Sequence, residues 1–92
     1  MSAGSTAVGN TLHGNNHGIL ATYGSLVTDN TVSNNSGMGI FAQGDCTITR
    51  NTAYNNTETG ISTGDNCTIT NNTTDGLTYG ANCTRADNTV AL

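Results

Sequence analysis

The stretch from Gly39 to Thr52 reads GIFAQGDCTITRNT, and it decides the fold because the chain repeats it. It returns at residues 60–73 as GISTGDNCTITNNT and, less closely, at 76–89 as GLTYGANCTRADNT. An earlier copy at 18–31 carries Ser25 in place of the cysteine. In all four copies an aliphatic residue precedes the Asn-Thr pair by eleven positions, and the cysteine or serine follows that aliphatic residue by six. Such constant spacing predicts equivalent residues stacked coil upon coil.

The Asn-Thr pair sets the period, with spacings of 20, 21, 21 and 16 residues. Coils are therefore expected to begin near Asn10, Asn30, Asn51 and Asn72, with a final partial coil from Asn88. Short runs of Thr, Val and Ile favour strands, and no helical stripe of apolar residues is present. We predict an all-β fold, a right-handed parallel β-helix (solenoid) of about four coils with about three short strands each and a shortened fourth coil. The domain is expected to span residues 8–92, after a disordered or linker start at 1–7.

Side chains alternate between the two faces of a strand, which predicts the residues that point into the solenoid. Three columns are expected to stack as ladders, one aliphatic and one of cysteines pointing inward, and one of asparagines at a bend. They consist of Ile19, Ile40, Ile61 and Leu77; of Cys46, Cys67 and Cys83; and of Asn30, Asn51, Asn72 and Asn88. The asparagines are expected to occupy a bend, where their type tolerates the left-handed conformation, and to hydrogen-bond to one another up the column.

Two further features follow from the same register. The glycines at positions 18, 39, 60 and 76 are expected to have positive φ, which costs glycine least. Arg85 falls in the inward column that Val27, Ile48 and Ile69 occupy in the other coils. Because a buried unpaired charge is costly, we expect this rung to fray, to turn Arg85 outward, or to pair it with a carboxylate such as that of Asp87 or Asp75.

Charge narrows the class of partner. The 92 residues carry a net charge of −4, and Arg50 and Arg85 are the two cations. Phosphate binding needs clustered Lys and Arg, so neither nucleic acid nor a membrane surface is expected as a partner.

The repeated motif G-I-x-x-x-x-x-C-T-I-T-x-N-T, followed by an Asn-Asn pair, resembles the right-handed parallel β-helix repeat family, the pectate-lyase-like superfamily. The resemblance covers roughly residues 8 to 92, and the family includes copper-enzyme maturation proteins, phage tailspikes and alginate epimerases. It implies an extracellular, periplasmic or virion-associated protein of a kind that often binds or cleaves polysaccharide. The favoured interpretation is a non-catalytic structural or glycan-contacting module, a fragment or minimal version of a longer protein.

The alternative function is a truncated polysaccharide lyase or hydrolase. Glycoside hydrolysis uses two carboxylates that face one cleft at about 5–9.5 Å. Asp45 and Asp65 lie on adjacent rungs in the turn before the second strand, so they are the candidate pair, and Arg50 is the candidate cation. The competing explanation is a solvated turn for both acids and an exposed ion pair between Arg50 and Asp29, one rung away.

No metal or cofactor is expected. The cysteine column has no CxxC motif and no histidine close in sequence, which favours buried free thiols over a zinc site. A soft-metal site, or one disulfide with a thiol left over, are the alternatives. His13 and His17 are expected to be solvated turn residues.

The outer surface offers two further interpretations. Outward-pointing Thr47, Thr49, Thr68 and Thr70 form a T-x-T array, which is a candidate binding surface and, as a second alternative function, an ice-binding face. The open ends expose strand edges, which are templates for pairing. A homo-oligomer through open coil ends or sheet faces is therefore expected, with polysaccharide as the other candidate partner.

Overall fold

The computed structural model describes residues 3–90, which consist of short strands joined by turns. The strands within this range are β1 (Thr6–Val8), β2 (Thr11–His13), β3 (Ile19–Ala21), β4 (Leu26–Thr28), β5 (Thr31–Ser33), β6 (Ile40–Ala42), β7 (Thr47–Thr49), β8 (Thr52–Tyr54), β9 (Ile61–Thr63), β10 (Thr68–Thr70), β11 (Thr73–Thr74), β12 (Leu77–Thr78), β13 (Thr84–Ala86) and β14 (Thr89–Val90). No helix interrupts them between residues 3 and 90.

Every third strand joins the same sheet, so the chain winds around three parallel sheets. Sheet A has the order β1-β4-β7-β10-β13, sheet B has β14-β11-β8-β5-β2, and sheet C has β12-β9-β6-β3. The register follows the repeat, because Ile40 opposes Ile19 on one side and Ile61 on the other. Leu77 in turn opposes Ile61. The predicted parallel solenoid and its aliphatic ladder are confirmed.

The number of coils and the first strand differ slightly from the prediction. Three turns of 20 or 21 residues are regular, and the fourth is shortened to 16, so the solenoid has about three full turns instead of four. The shortening falls on β11 and β12, which have two residues each. The first strand begins at Thr6 and pairs with β4, so it takes in the last two residues of the expected linker start at 1–7. Residues 1 and 2 of that expected start lie outside the described residues.

Apolar columns on the inner faces of the three sheets form the core. Their fully buried members are Val27, Ile48 and Ile69 in sheet A, Val32 and Ala53 in sheet B, and Ile40, Ala42 and Ile61 in sheet C. Complete burial of a Val or Ile side chain stabilises by about 1.5–3 kcal/mol. The T-I-T pattern produces this arrangement, since the central residue points inward and the two threonines point outward.

Each coil turns at its corners through a residue with positive φ. These residues are Asp29, Arg50, Asn71 and Asp87 before the asparagine ladder, Asp45, Asn66 and Asn82 before the cysteine column, and Asn34 and Asn55 before a third corner. Their φ values lie between 53° and 60°, a region that Asn and Asp visit more readily than other side chains do. The expectation that the ladder asparagines take this conformation is wrong, because the residue before each of them does.

The glycines that precede the aliphatic column serve a different purpose from the predicted one. Positive φ occurs at Gly4, Gly9, Gly14 and Gly24, and not at the glycines in positions 18, 39, 60 and 76. A Cβ on Gly39 would lie 2.5 Å from the carbonyl oxygen of Gly60 and 2.7 Å from Nδ2 of Asn56. Glycine is required at positions 18, 39 and 60 because neighbouring coils approach closely, whereas the nearest atom to a Cβ on Gly76 would lie at an ordinary 3.7 Å.

The asparagine ladder is a continuous chain of hydrogen bonds through the interior. Asn51 donates from its backbone N and from Nδ2 to Oδ1 of Asn72 at 2.9 and 3.0 Å. It accepts the same pair from Asn30 at 3.0 and 2.9 Å. Nδ2 of Asn51 also donates to the carbonyls of Val27 and Thr49 at 2.9 and 3.1 Å. The predicted side-chain ladder is confirmed, and it also ties each corner to the backbone one rung below.

A second asparagine ladder, which the sequence analysis did not predict, stands at the corner between sheets B and C. Asn35 donates from its backbone N and from Nδ2 to Oδ1 of Asn56 at 3.1 and 2.8 Å. Asn15 donates in the same way from its backbone N to Oδ1 of Asn35 at 2.9 Å. The shortened fourth coil has no equivalent asparagine, and Asp75 accepts from the backbone N of Asn55 at 2.8 Å instead.

Arg85 keeps its place in the register but not in the core. It opposes Ile69 in the pairing of β10 with β13, and all three residues of β13 are exposed. Its guanidinium carbon lies 4.0 Å from the centroid of the Tyr79 ring. A cation–π contact therefore holds the charge on the last described rung of sheet A, and no carboxylate among the described residues pairs with it.

Candidate functional site

A polar cleft runs across the corner between sheets C and A. It has a volume of ≈ 300 Å³ and is lined by the turn residues of three successive coils: Tyr23, Gln43, Gly44, Asp45, Gly64, Asp65 and Asn66. The strands on either side hold these turns in register, since Ala21 opposes Ala42 and Leu26 opposes Thr47.

Gly44 has no side chain, and this shapes the cleft. Continuing the strand register places Tyr23, Gly44 and Asp65 in one column. Two ring carbons of Tyr23 lie 3.0 and 3.2 Å from the position that a Cβ on Gly44 would take. The aromatic ring therefore leans into the space above Gly44, and 58 % of Tyr23 stays exposed.

The structure brings the two candidate acids together on the wall of this cleft. The backbone N of Asp45 donates to the carbonyl of Asp65 at 3.0 Å, although the two residues belong to neighbouring columns. Oδ1 of Asp65 accepts from the backbone N of Ala81 at 2.7 Å, which fixes the carboxylate and leaves its second oxygen for a ligand. Both side chains are exposed, so the arrangement is suited to accepting hydrogen bonds from hydroxyl groups.

Arg50, the third candidate, lies at a different corner. Its Nε donates to Oδ1 of Asp29 at 2.9 Å, and its Nη2 donates to Oδ2 of Asp29 and to Thr28 at 3.2 Å. The hydrogen bond from Arg50 lowers the pKa of Asp29, and the same bond raises the pKa of Arg50. The predicted ion pair is present. Arg50 is therefore engaged with Asp29 and lies away from the corner that holds Asp45 and Asp65.

An apolar patch adjoins the cleft on the outer face of sheet C. A depression of ≈ 250 Å³ is lined by Leu20, Ala21, Thr22, Phe41 and Gln43. Leu20 opposes Phe41 in the register, and 48 % of Leu20 is exposed. Gln43 borders both the depression and the cleft, so one continuous surface joins an apolar half to a polar half.

A family described as right-handed beta helix region matches residues 1–92. The chain belongs to the right-handed β-helix family. No curated protein and no solved structure matches this β-helix. A fold of this kind supports many functions, so a functional assignment has to rest on the side chains of the cleft.

The cysteine column of the β-helix consists of free thiols. Cys46 and Cys67 are buried and Cys83 is half-buried, and none forms a disulfide. Sγ of Cys46 lies 3.1 Å from the carbonyl oxygens of Thr22 and Gly44. Burial raises the pKa of the Cys67 thiol, which reduces the reactive thiolate fraction.

We expect Cys83 to react with Ellman's reagent at least about tenfold faster than the other two thiols of the folded chain. Cys46 and Cys67 should react at the same rate as Cys83 only after unfolding in denaturant. Cys83→Ser should abolish the fast phase and leave the slow one. Rapid reaction of Cys46 and Cys67 in the folded β-helix would contradict their burial.

The predicted threonine array is in register but incomplete. Thr47 opposes Thr68 and Thr49 opposes Thr70, while Leu26 and Ala86 interrupt the two columns at their ends. Thr70 and Thr49 share a hydrogen bond of 3.1 Å between their hydroxyl groups, which occupies part of the array internally. An uninterrupted column, not singled out from the sequence, lies on sheet B: Thr11, Thr31, Thr52, Thr73 and Thr89. Its neighbouring column holds His13, Ser33 and Tyr54, so sheet B carries one threonine column and no T-x-T array.

The histidines take separate roles. His13 is exposed as expected, whereas His17 is half-buried. Its Nδ1 accepts from the backbone N of Met38 at 3.0 Å, so His17 supports the next coil and is not a solvated turn residue. Residues 3–90 bring no three His, Cys, Asp or Glu side chains together as a metal site. In the same range, no helix has the length and apolar character needed to cross a bilayer.

Sequence reasoning found Asp45 and Asp65 but missed Tyr23, Gln43 and Asn66. The sequence did contain a signal for the cleft, because Tyr23 and Gly44 occupy equivalent positions in neighbouring coils. A large side chain stacked on a glycine indicates a place where the smooth wall of a solenoid opens.

Proposed function

We propose that the chain is a non-catalytic β-helix module that binds a neutral saccharide in the cleft between Tyr23 and Asp65. The exposed Tyr23 ring beside the Asp45 and Asp65 carboxylates is the observation that carries the proposal. A sugar has apolar C–H faces and a rim of hydroxyl groups, so it suits an aromatic ring next to hydrogen-bond acceptors.

The charge of the cleft selects the class of saccharide. Asp45 and Asp65 are its charged lining residues, and the whole chain has a net charge of −4. Like charges placed against each other oppose binding. Neutral chains such as cello-, xylo- or manno-oligosaccharides are therefore favoured over polyuronates.

The adjoining patch extends the contact along the glycan. Leu20 and Phe41 offer apolar area on sheet C, and Gln43 connects them to the cleft. Sites of this type combine apolar walls with a few polar groups that fix the orientation of the ligand. A chain of two or three sugar units is long enough to contact both halves.

The test is an NMR titration of the full chain with neutral oligosaccharides and, separately, with oligogalacturonate. We expect saturable shifts at residues 22–24, 43–45 and 64–66 with the neutral ligands only. Tyr23→Ala should weaken binding by about tenfold. Tyr54→Ala is the matched control, because Tyr54 is an exposed tyrosine on sheet B and should leave binding unchanged.

The outcomes separate this function from the enzymatic alternative. Release of reducing ends or unsaturated products from a bound polysaccharide, lost in Asp45→Asn or Asp65→Asn, would replace the binding module with a truncated hydrolase or lyase. Equal affinity of Tyr23→Ala and the parent chain would remove the cleft from the proposal, as would the absence of any saturable shift.

A further inference from the structure

The outward column of sheet C changes from apolar to polar along the solenoid. Leu20 and Phe41 are the central residues of β3 and β6, oppose each other and point outward. Ser62 and Thr78 continue the same column, and their hydroxyl groups share a hydrogen bond of 2.9 Å. The polar half of the column is therefore engaged within the chain, whereas the apolar half leaves 48 % of Leu20 exposed and Phe41 half-buried.

The depression of ≈ 250 Å³ beside the cleft lies at this apolar half. It faces away from the solenoid axis, because its two largest apolar side chains point outward. All of its lining residues are uncharged: Leu20, Ala21, Thr22, Phe41 and Gln43. A depression of this kind favours an uncharged group with an apolar part. The neighbouring cleft offers carboxylates, so the two halves of the surface favour different parts of one ligand.

Gln43, the one glutamine of the chain, stands where the depression meets the cleft. Its backbone is held in place, because its N donates to the carbonyl of Ala21 at 3.0 Å. Its side chain is exposed, and the side-chain amide has no hydrogen-bond partner within residues 3–90. A primary amide offers both donors and an acceptor. Gln43 can therefore donate to the carbonyl oxygen of a ligand amide or accept from its N–H.

We propose that this depression receives the acetamido group of an N-acetylhexosamine unit, so that the ligand of the cleft is an N-acetylated neutral glycan. The inference rests on the proposed function and names the class of saccharide that the same site takes. With the sugar ring against Tyr23, the acetamido group lies beside Gln43 and its methyl group contacts Leu20 and Phe41.

The length of the acetamido group fits the junction between cleft and depression. The amide is planar and trans, so its methyl carbon lies about 3.8 Å from the ring carbon that carries the group. Because Gln43 lines both the cleft and the depression, a substituent of this length can begin in one and end in the other. A hydroxyl group on the same ring carbon is shorter and brings no methyl group to bury.

Charge opposes the other common substituents of a sugar ring. A carboxylate meets the like charges of Asp45 and Asp65, which opposes its binding. A free amino group is cationic and would suit those two acids, but it has no partner in the uncharged depression, where an unpaired charge is costly. The acetamido group is neutral and has both a polar and an apolar part, as the surface beside Gln43 requires.

A matched set of trimers tests the inference on the full chain by calorimetry and NMR. The β-1,4-linked trimers of N-acetylglucosamine and of glucose differ at the substituent on C2. We expect the acetylated trimer to bind about tenfold more tightly, because one buried methyl group and one hydrogen bond together give about that factor. The cationic trimer of glucosamine should bind more weakly than the acetylated one. The acetyl methyl protons should show NOEs to the ring of Phe41, the one phenylalanine of the chain.

Two variants use residue types that the repeat already places at equivalent positions. Phe41→Ser introduces the type of its neighbour Ser62, and Gln43→Thr introduces the type of Thr22, one coil away. Each should reduce the ratio of the affinities for the acetylated and the glucose trimer from about tenfold to below about threefold. Tyr54→Ala, on sheet B, is the control and should leave both affinities unchanged.

The outcomes distinguish failure of this inference from failure of the proposed function. If the parent chain bound the acetylated and the glucose trimer equally, or bound the cationic trimer most tightly, the cleft would remain a saccharide site and the acetamido group would be wrong. A tenfold preference that persisted in both Phe41→Ser and Gln43→Thr would also overturn the inference, as would NOEs from the acetyl methyl group only to residues outside the depression. If no trimer bound, the proposed function itself would be wrong.

Discussion

Asn51→Ala is expected to lower the free energy of unfolding by about 3–5 kcal/mol, a large part of the roughly 5–15 kcal/mol that stabilises a small domain. The substitution removes Oδ1, which accepts from both the backbone N and Nδ2 of Asn30. It also removes Nδ2, which donates to Asn72, Val27 and Thr49. The backbone N–H of Asn30 would then be buried without an acceptor, and an orphaned buried donor costs more than an ordinary hydrogen bond contributes.

The matched control is Asn10→Ala, at the end of the same ladder. Asn10 is exposed, and no donor among residues 3–90 reaches its Oδ1. Its loss removes only the bond from Nδ2 to Asn30, while the backbone N of Asn10 still donates to the same oxygen. Urea unfolding of both variants, followed by circular dichroism, should show a cost below about 1 kcal/mol for Asn10→Ala. Similar costs for the two variants would mean that the interior ladder contributes little beyond its side-chain volume.

The fold could be predicted because a repeat removes most of the uncertainty about neighbours. Once Ile40 and Ile61 are known to occupy equivalent positions, their contact follows, and so does every other contact along the coil. The same logic predicted the ladder from Asn30 to Asn88 and the ion pair of Arg50 with Asp29. The number of full turns was predicted less well, because the 16-residue final spacing makes the fourth coil incomplete.

The cleft could be predicted only in part, because it depends on a difference between coils. Asp45 and Asp65 were identifiable as acids in one type of turn. The role of Tyr23 arises because Gly44, one rung away, leaves a space that the aromatic ring enters. A sequence repeat shows what equivalent positions have in common. It does not reveal a feature that arises because two equivalent positions, Tyr23 and Gly44, carry different residues. Arg85 is a similar case, since its accommodation depends on Tyr79, which stands in only one coil.

A glycine before the aliphatic column can be required for a positive φ or for the close approach of neighbouring coils, and the sequence alone does not distinguish these two explanations. Gly39→Ala provides the test. We expect it to destabilise the chain by about 2–4 kcal/mol. The added Cβ would lie 2.5 Å from the carbonyl oxygen of Gly60 and 2.7 Å from Nδ2 of Asn56. Neither atom can move away easily. The carbonyl oxygen of Gly60 accepts a hydrogen bond from the backbone N of Ile40 at 2.8 Å, and the side chain of Asn56 belongs to the second asparagine ladder. Overpacking should therefore disturb two coils at once.

Gly14 provides the opposite case within the same molecule. Its φ is +71°, and nothing lies within 4 Å of an added Cβ, so Gly14→Ala should cost only the left-handed penalty of about 1–2 kcal/mol. Asn34 and Asn55 stand in the same column with φ values of 55° and 54°, so Gly14→Asn should be neutral or stabilise by up to about 1 kcal/mol. Gly39→Asn should be at least as damaging as Gly39→Ala, since it adds volume where space is lacking. If thermal unfolding instead showed Gly39→Asn to be tolerated, conformation and not close approach would be what requires glycine at the entrance of the aliphatic column.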